Sequence, residues 1–228
     1  MTDFVVLNGM DTREIGVFCT SLPPIQIAQE RVNKIPVLAR SGYLHISEDS
    51  FESIIKTVGF FYQGDNPAMV AEFFRNAKTI IFSNEPDRLY LCELSGSSEL
   101  ENTIFDWHEF KINFECNPEK RESNPQKIAG ISGMTLFNPG NRKAYPTFKI
   151  SGTGTIVLTV GDQVVTLTSV SGTTVVDGDL KECYRSTGAS RNNFMFGTWP
   201  VIQPSETVSI SWTGSITAVE ISPNWRYV

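Results

Sequence analysis

The residues best suited to catalysis lie scattered along this chain and form no recognised motif. Asp106 and His108 flank a tryptophan, and an Asp-x-His pair could assist a serine nucleophile. The nearest fragment to a nucleophile elbow is Gly188-Ala-Ser190-Arg-Asn192. Such an elbow needs a second glycine two residues after the serine and a helix behind it, and the sequence offers neither. We therefore predict no hydrolytic triad.

Two carboxylate pairs have the residue types that glycoside hydrolysis uses, namely Glu99 with Glu101 and Asp177 with Asp179. Their separation in space is not readable from sequence, and solvated surface charge is the simpler interpretation.

The fragment Gly152-Thr-Gly154 begins like a phosphate loop but has neither the third glycine nor a following lysine. Because it lies between predicted strands, we expect a turn there.

Metal-binding and cofactor-binding patterns are also missing from the sequence. The four cysteines stand at positions 19, 92, 116 and 183, too far apart for a Cys-x-x-Cys site, and only His45 and His108 could add imidazole ligands. Cysteines in strands are most often buried thiols, so we expect reduced thiols. No catalytic, cofactor-binding or metal-binding residue is predicted, no cofactor is expected, and we expect no enzymatic activity.

Three tryptophans in the last third of the chain raise an alternative, a carbohydrate-binding module for adsorption to a host surface. Exposed aromatic rings stack on sugars, but buried tryptophan is the commoner use. Trp212 lies on an alternating strand and Trp225 near the end of the chain, whereas Trp199 precedes a proline in a predicted loop and could be exposed.

Composition and charge restrict the partners. The 228 residues carry a net charge of −6 and show no cluster of lysine and arginine. Because duplex nucleic acid is bound by such clusters, no specific nucleic-acid binding is expected. The N-terminus has no secretory pattern and no apolar run approaches the length of a membrane span. We therefore expect folding in a cytoplasm, without membrane insertion.

The first half of the sequence mixes strands with one helix. Asn8-Gly9 predicts a tight turn after a short strand, residues 25–28 alternate like an edge strand, Arg40-Ser-Gly42 marks a turn, and residues 51–62 indicate a long strand. Residues 67–77 are predicted to be helical, because Asn66 can cap the helix, Pro67 suits its first turn, and apolar residues follow at helical spacing. Those apolar residues are Met69, Val70, Phe73, Phe74 and Ala77. Strands are predicted at 79–82, 89–94 and 110–116.

The second half loses helical periodicity and has strands every eight to twelve residues. Residues 156–160 and 163–168 predict a hairpin whose Gly161 suits a type II′ turn, and residues 207–212 and 216–222 predict another around Thr213-Gly-Ser215. This pattern indicates an antiparallel β-sandwich.

A polar segment with two prolines precedes it. We predict a mainly β protein with an N-terminal domain at 1–118, a linker at 119–127 and a C-terminal domain at 128–228.

Several fragments, taken in order, resemble the distal tail proteins (Dit) of phages with long, non-contractile tails. The two most specific are Pro86-Asp87-Arg88-x-Tyr90 and the terminal Pro223-Asn-Trp225-Arg226. The shorter ones include Leu7-Asn8-Gly9, Pro23-Pro24, Phe137-Asn-Pro-Gly140, Tyr145-Pro146 and Gly197-Thr-Trp-Pro200. The resemblance covers nearly the whole chain and departs at Pro204-Ser-Glu-Thr207, where the family tends to carry Pro-Gly-x-Asn.

The resemblance implies a structural virion protein located at the distal end of the tail. Its N-terminal domain would pair strands between neighbours to form a homohexameric ring, and its C-terminal domain would be a galectin-like β-sandwich. Such a ring joins the tail tube protein to the tail-tip protein and anchors receptor-binding or baseplate proteins. Pairing across a closed ring would also remove exposed sheet edges.

Overall fold

The computed structural model of the protein describes residues 3–96, 100–104 and 107–228, and the side chains only outside 100–108. It is built from antiparallel strands, which confirms the mainly β fold. The chain divides into two compact units, residues 1–123 with Val228, and residues 124–227. Each unit has its own hydrophobic core.

The first unit contains eleven of the described strands and an α-helix. They are β1 Val5–Leu7, β2 Met10–Asp11, β3 Val17–Ser21, β4 Glu30–Pro36, β5 Tyr43–Phe51, β6 Ile54–Gln63, α1 Pro67–Arg75, β7 Thr79–Phe82, β8 Arg88–Leu94, β9 Leu100–Ile104, β10 Trp107–Cys116 and β11 Lys120–Glu122. Seven strands follow the order β2-β1-β7-β8-β10-β6-β3, with β9 added to β10 and β11 to β8. The strands β4 and β5 form a separate two-stranded sheet.

Helix α1 begins where the sequence predicts it, because Asn66 and Pro67 define its start, and it ends at Arg75, two residues before the predicted end at Ala77. The Asn66 side chain accepts a hydrogen bond from the Met69 amide at 3.2 Å. Val70 and Phe74 are buried on its inner face, whereas Met69, expected in the same stripe, is 41% exposed. The Phe74 ring lies 4.9 Å from that of Phe60 and 5.9 Å from that of Phe110. The helix therefore covers the sheet by packing aromatic rings on its central strands.

Two predicted strands of the first unit differ from the structure. Residues 25–28 form no strand, and Ile27 is 99% exposed. The run 51–62 is divided, because Phe51 ends β5 and β6 begins at Ile54. Between them the amide of Glu52 donates to the carbonyl oxygen of Gln29, so the break closes the base of the hairpin β4–β5. The Asn8-Gly9 turn is confirmed: both residues have positive φ, and Leu7 pairs with Met10.

Part of the segment predicted as a linker is a strand. Within residues 119–127, β11 pairs with β8 through Arg121 opposite Leu89 and Glu122 opposite Arg88. These residues therefore belong to the sheet of the first unit, and the two compact units divide between Ser123 and Asn124.

The second unit is a β-sandwich built on three long, bent strands. Its elements are β12 Ile128–Ala129, β13 Met134–Phe137, β14 Thr147–Val160, β15 Gln163–Asp177, β16 Glu182–Arg185, β17 Met195–Gly197, β18 Thr207–Ser222 and β19 Arg226–Tyr227. The order is β12-β18-β14-β15-β16, with β13 on β18 and β17 on β15. Buried residues from both halves of the long strands, such as Ile150 and Ile156 of β14, share one core.

The hairpin predicted around Thr213-Gly-Ser215 is wrong, because β18 runs unbroken past Gly214. Both of its halves pair with β14, from Val160 opposite Ile210 to Thr147 opposite Ser222. Gly214 has φ 108°, and a Cβ atom there would lie 2.5 Å from the carbonyl oxygen of Thr155. The glycine therefore bends a continuous strand where two backbones touch.

The turn predicted at Gly152-Thr-Gly154 is wrong for the same reason. It lies inside β14, where the register with β18 and β15 shifts, and it forms the matching bend. The first predicted hairpin is confirmed: Val160 pairs with Gln163, and Gly161 has the positive φ, 56°, that the turn needs.

Candidate assembly surface

The hairpin β4–β5 is amphipathic, and its apolar face is open. Among the described strands, β4 and β5 pair only with each other. Ile35 lies directly opposite Leu44, and Ile46 lies two residues further along the same face, opposite Asn33. Ile35, Leu44 and Ile46 are 38%, 52% and 47% exposed. We call these three side chains the apolar hairpin face.

Physical chemistry makes the exposed apolar hairpin face a candidate surface for association. A two-stranded hairpin alone in water is marginally stable. Exposed apolar surface on a long edge is also a template for association. The opposite face of the same hairpin carries Tyr43, His45 and Lys34, with His45 directly across from Lys34. The two faces therefore differ in chemistry, and the apolar one is suited to a protein partner.

The segment that leads into the hairpin is fastened to the first unit at two prolines. The Asn84 side-chain amide donates to the carbonyl oxygen of Pro23 at 3.0 Å. The Lys56 ammonium donates to the carbonyl oxygen of Pro24 at 2.9 Å. Proline carbonyls remain available as acceptors even though proline has no N–H group. These bonds fix the chain where residues 25–29 depart toward β4.

Lys56 is a lysine within an apolar strand and is only 1% exposed. Its ammonium lies 5.2 Å from the centre of the Tyr90 ring and 5.9 Å from that of Phe82. Burial lowers the pKa of Lys56, and the negative charge of Glu85 opposes that shift. A lysine within a strand rich in β-branched and aromatic residues was the available sequence signal for this buried contact, and sequence reasoning missed it.

Glu85 joins Lys120 and Tyr90 into a network beside that buried contact. Its carboxylate accepts from the Lys120 ammonium at 2.8 Å and from the Tyr90 hydroxyl. Burial alone would raise the pKa of Glu85, but the hydrogen bonds from Lys120 and Tyr90 outweigh it and lower the pKa. Burial, followed by the bond to Glu85, raises the pKa of Tyr90. Tyr90, the last residue of the Pro86-Asp87-Arg88-x-Tyr90 fragment, therefore belongs to a structural network.

The terminal fragment has a structural role in the second unit. The Asn224 amide donates to the Tyr145 carbonyl oxygen at 2.9 Å and to the Thr147 hydroxyl at 3.0 Å. Trp225 is buried in the core. The Arg226 guanidinium pairs with Asp179 and lies 4.6 Å from the centre of the Tyr145 ring. These contacts hold the chain end against the start of β14.

The carboxylates considered for glycoside hydrolysis make local bonds. One Asp177 oxygen accepts from the amides of Asp179 and Leu180, both at 3.0 Å. Asp179 pairs with Arg226. Glu99 and Asp106 lie outside the described residues, as do the side chains of Glu101 and His108. The described pair, Asp177 with Asp179, is therefore not arranged as the acid and the base of a glycoside hydrolase.

The remaining catalytic candidate lies in a surface turn. Ser190 is exposed and forms an isolated β-bridge with Tyr184. Gly188 has φ 88° and donates to the carbonyl oxygen of Arg185. No helix follows Ser190 in this part of the structure; a single 3-10 turn at Asn192–Phe194 does.

The tryptophans support the sandwich core. Trp225 belongs to it, and Trp199 and Trp212 are partly buried against it. Trp199 is therefore less open than its predicted loop suggested. Rings that pack on a core leave little flat surface for a sugar to stack on.

The cysteines are free thiols. Cys92, Cys116 and Cys183 are buried and Cys19 is half-buried, where burial raises its pKa to about 11. Within the described residues, no three potential His, Cys, Asp or Glu ligands lie close enough to hold a metal ion. In the same residues no helix is long and apolar enough to cross a bilayer.

Two solved structures share this arrangement of the chain. The crystal structure of SPP1 Dit (gp 19.1), described as a paradigm of hub adsorption apparatus in Gram-positive infecting phages, matches with a TM-score of 0.75 over 100% of both chains, at 14% identity. This chain has the Dit fold. A chain of the phage p2 baseplate, in its activated conformation with Sr, matches with a TM-score of 0.56 over 96% of both chains, at 8% identity.

The Dit fold accounts for both units, and the resemblance predicted from short sequence fragments is confirmed at the level of the fold. No protein-family model matches this chain, and no curated protein matches it either. At 14% and 8% identity the likeness to these structures lies in the fold.

Proposed function

We propose that this protein is a structural component of a phage virion, a distal tail hub that forms a homohexameric ring. The ring joins the tail tube protein to the tail-tip or baseplate proteins and anchors receptor-binding proteins. The observation that carries the proposal is the match to SPP1 Dit over the full length of both chains. The protein is assembled in the host cytoplasm, acts at the distal end of the tail and has no enzymatic activity.

The apolar hairpin face supports self-association. Its three side chains are exposed in the single chain, and a neighbouring copy in a closed ring would cover them on every subunit. A net charge of −6 without clustered lysine and arginine suits a ring that lets DNA pass without retaining it. A carbohydrate-binding function has less support, because the three tryptophans of the second unit lie in or against its core.

The first test is the mass of the purified protein in solution, measured by light scattering and native mass spectrometry across concentration. We expect a species of six chains. A monomer at every concentration that also fails to bind the tail-tube and tail-tip proteins of its phage would contradict the proposal.

A matched pair of variants tests the hairpin. Leu44→Lys with Ile46→Lys places two charges on the apolar face, and Tyr43→Lys with His45→Lys places two on the opposite face of the same strand. We expect the first variant to be monomeric and the second to keep the oligomer. Equal behaviour of the two variants would show that this face does not mediate assembly.

A further inference from the structure

Strands β8 and β10 meet through a short ladder in the sheet of the first unit. Strands β10 and β6 pair through ten residues of each strand, whereas β10 and β8 pair through only three, at Phe114 opposite Leu94, Glu115 opposite Glu93 and Cys116 opposite Cys92. This short ladder alone connects β2-β1-β7-β8 to β10-β6-β3 along the described order of the sheet. Two cysteines therefore face each other in a short ladder that joins two parts of the sheet.

The register places these cysteines where a cross-strand disulfide can form. The amide of Asn117 donates to the carbonyl oxygen of Leu91, and the amide of Ser95 donates to that of Asn113, both at 2.8 Å. These bonds flank the cysteine pair, so Cys92 and Cys116 occupy a non-hydrogen-bonded position, where Cα atoms lie about 4.5 Å apart. Disulfides span Cα separations of about 4.4–6.8 Å.

Contact between the two thiols agrees with this register. The hydrogen bond with the Cys92 thiol, together with burial, raises the pKa of Cys116 well above its ordinary value. A cavity of about 530 Å³ reaches both cysteines and is also lined by Thr79, Leu91 and Pro118. The sulfur atoms themselves are almost fully covered, so a small reagent reaches them when the short β8–β10 ladder opens.

We propose that Cys92 and Cys116 form a latent disulfide site that locks β8 to β10 under oxidising conditions. The oxidant is a small organic disulfide. The Cys92 thiolate attacks one of its sulfur atoms, forming a mixed disulfide and releasing one thiol. The Cys116 thiolate then attacks the Cys92 sulfur and releases the second thiol, so two protein thiols are oxidised while one small disulfide is reduced to two thiols.

The raised pKa of Cys116 makes this second step slow, because the thiolate is the attacking species. A cytoplasm keeps such thiols reduced, and the extracellular medium is oxidising. We expect the disulfide to form in the released virion, and this expectation rests on the proposed function. The pairing of the two cysteines does not rest on it.

The experiment uses the purified full chain incubated with 2-hydroxyethyl disulfide at alkaline pH, followed by a non-reducing peptide map. We expect a linked peptide that joins Cys92 to Cys116, loss of two of the four titratable thiols, and a melting temperature of the first unit that is higher by roughly 5–15 °C. Cys183→Ser, a buried cysteine of the second unit, is the matched control and must still form the link.

Cys92→Ser and Cys116→Ser must each abolish the link and the rise in melting temperature. Because the peptide map of the wild-type protein is decisive by itself, poor folding of a variant leaves the test intact. Persistence of four free thiols in wild-type protein would overturn the proposal, and so would a linked protein that melts at a lower temperature. The peptide map does not depend on oligomeric state, so failure here is distinguishable from failure of the ring.

Discussion

The ammonium of Lys56 donates a hydrogen bond to the carbonyl oxygen of Pro24 at 2.9 Å, across 32 residues of sequence. Asn84 holds the preceding carbonyl, that of Pro23, at 3.0 Å. A residue of β6 and a residue of the turn between β7 and β8 thereby fix the point from which the chain leaves for the hairpin β4–β5. The hairpin is thus tethered at its base while its apolar face stays open.

Removing this tether should loosen the segment at residues 25–29. Hydrogen bonds to charged groups contribute about 1.5–3 kcal/mol. Lys56→Met should therefore raise the fraction of molecules in which residues 25–29 are detached by roughly 10-fold or more. The rate of proteolytic cleavage in this segment should rise with that fraction. Limited proteolysis with mass-spectrometric mapping measures the rate. Lys34→Met, on the exposed hairpin, is the control; equal cleavage of the two variants would rule out the tether.

The aromatic cluster under α1 should dominate the stability of the first unit. Phe74 is buried against Phe60 and Phe110, so Phe74→Ala should lower the free energy of unfolding by about 3–5 kcal/mol. Met69→Ala, on the exposed side of the same helix, should cost less than about 1 kcal/mol. Urea denaturation followed by circular dichroism compares them, and similar losses would contradict the packing described.

The bend of β18 should tolerate no side chain at Gly214. A Cβ atom would lie 2.5 Å from the Thr155 carbonyl oxygen, so Gly214→Ala should destabilise the second unit by roughly 2–4 kcal/mol through strain and displaced pairing. Gly154 also has positive φ, 82°, but open space around its Cβ position. Gly154→Ala should therefore cost only about 1–2 kcal/mol of backbone strain. Thermal denaturation of the two variants separates the contact from the strain.

The Glu85 network should make the first unit sensitive to acid. Since the folded-state pKa of Glu85 is lowered, its stabilisation is present above the unfolded-state pKa and is lost as the pH falls through the folded-state pKa. The difference in unfolding free energy between wild type and Glu85→Gln should therefore shrink as the pH is lowered from 7 toward 3. Denaturation at several pH values measures it.

A surface glutamate provides the control for that titration. Glu93 is 80% exposed in its side chain and pairs with Lys78 only at 3.7 Å. Surface pairs contribute about 0–1 kcal/mol, so Glu93→Gln should track wild type across the whole pH range. A Glu85→Gln difference that stays constant with pH would show that the carboxylate charge does not stabilise the fold.

Local sequence signals predicted many elements correctly because their causes are local. Asn66 and Pro67 define the start of a helix by capping and by a fixed φ, and Asn8-Gly9 and Gly161 supply positive φ at tight turns. The strands β7 and β8 follow from short apolar runs and β10 from strict alternation, and the sandwich class of the second unit follows from strands at regular spacing. None of these signals needs knowledge of a distant partner.

The candidate assembly surface was only partly predictable. The turn at Arg40-Ser-Gly42 was clear, but residues 25–28 have the alternation of a strand and no strand partner. Lys56 carries no signal in sequence that names Pro24 as its acceptor. Alternation in a sequence indicates that one face of a strand is apolar. It does not indicate whether that face is buried within the same unit or exposed, as the apolar hairpin face is.

The sequence by itself determined a mainly β chain, with a capped helix in its first half and no motif that assembles known catalytic chemistry. Only the tertiary structure decided that Thr213-Gly-Ser215 is a bend and not a hairpin turn, because the same residues suit both and β14 pairs with both halves of β18. Only the tertiary structure placed Cys116 opposite Cys92 and Pro24 beside Lys56. Such contacts depend on strand register and on long-range packing, which short sequence patterns do not specify.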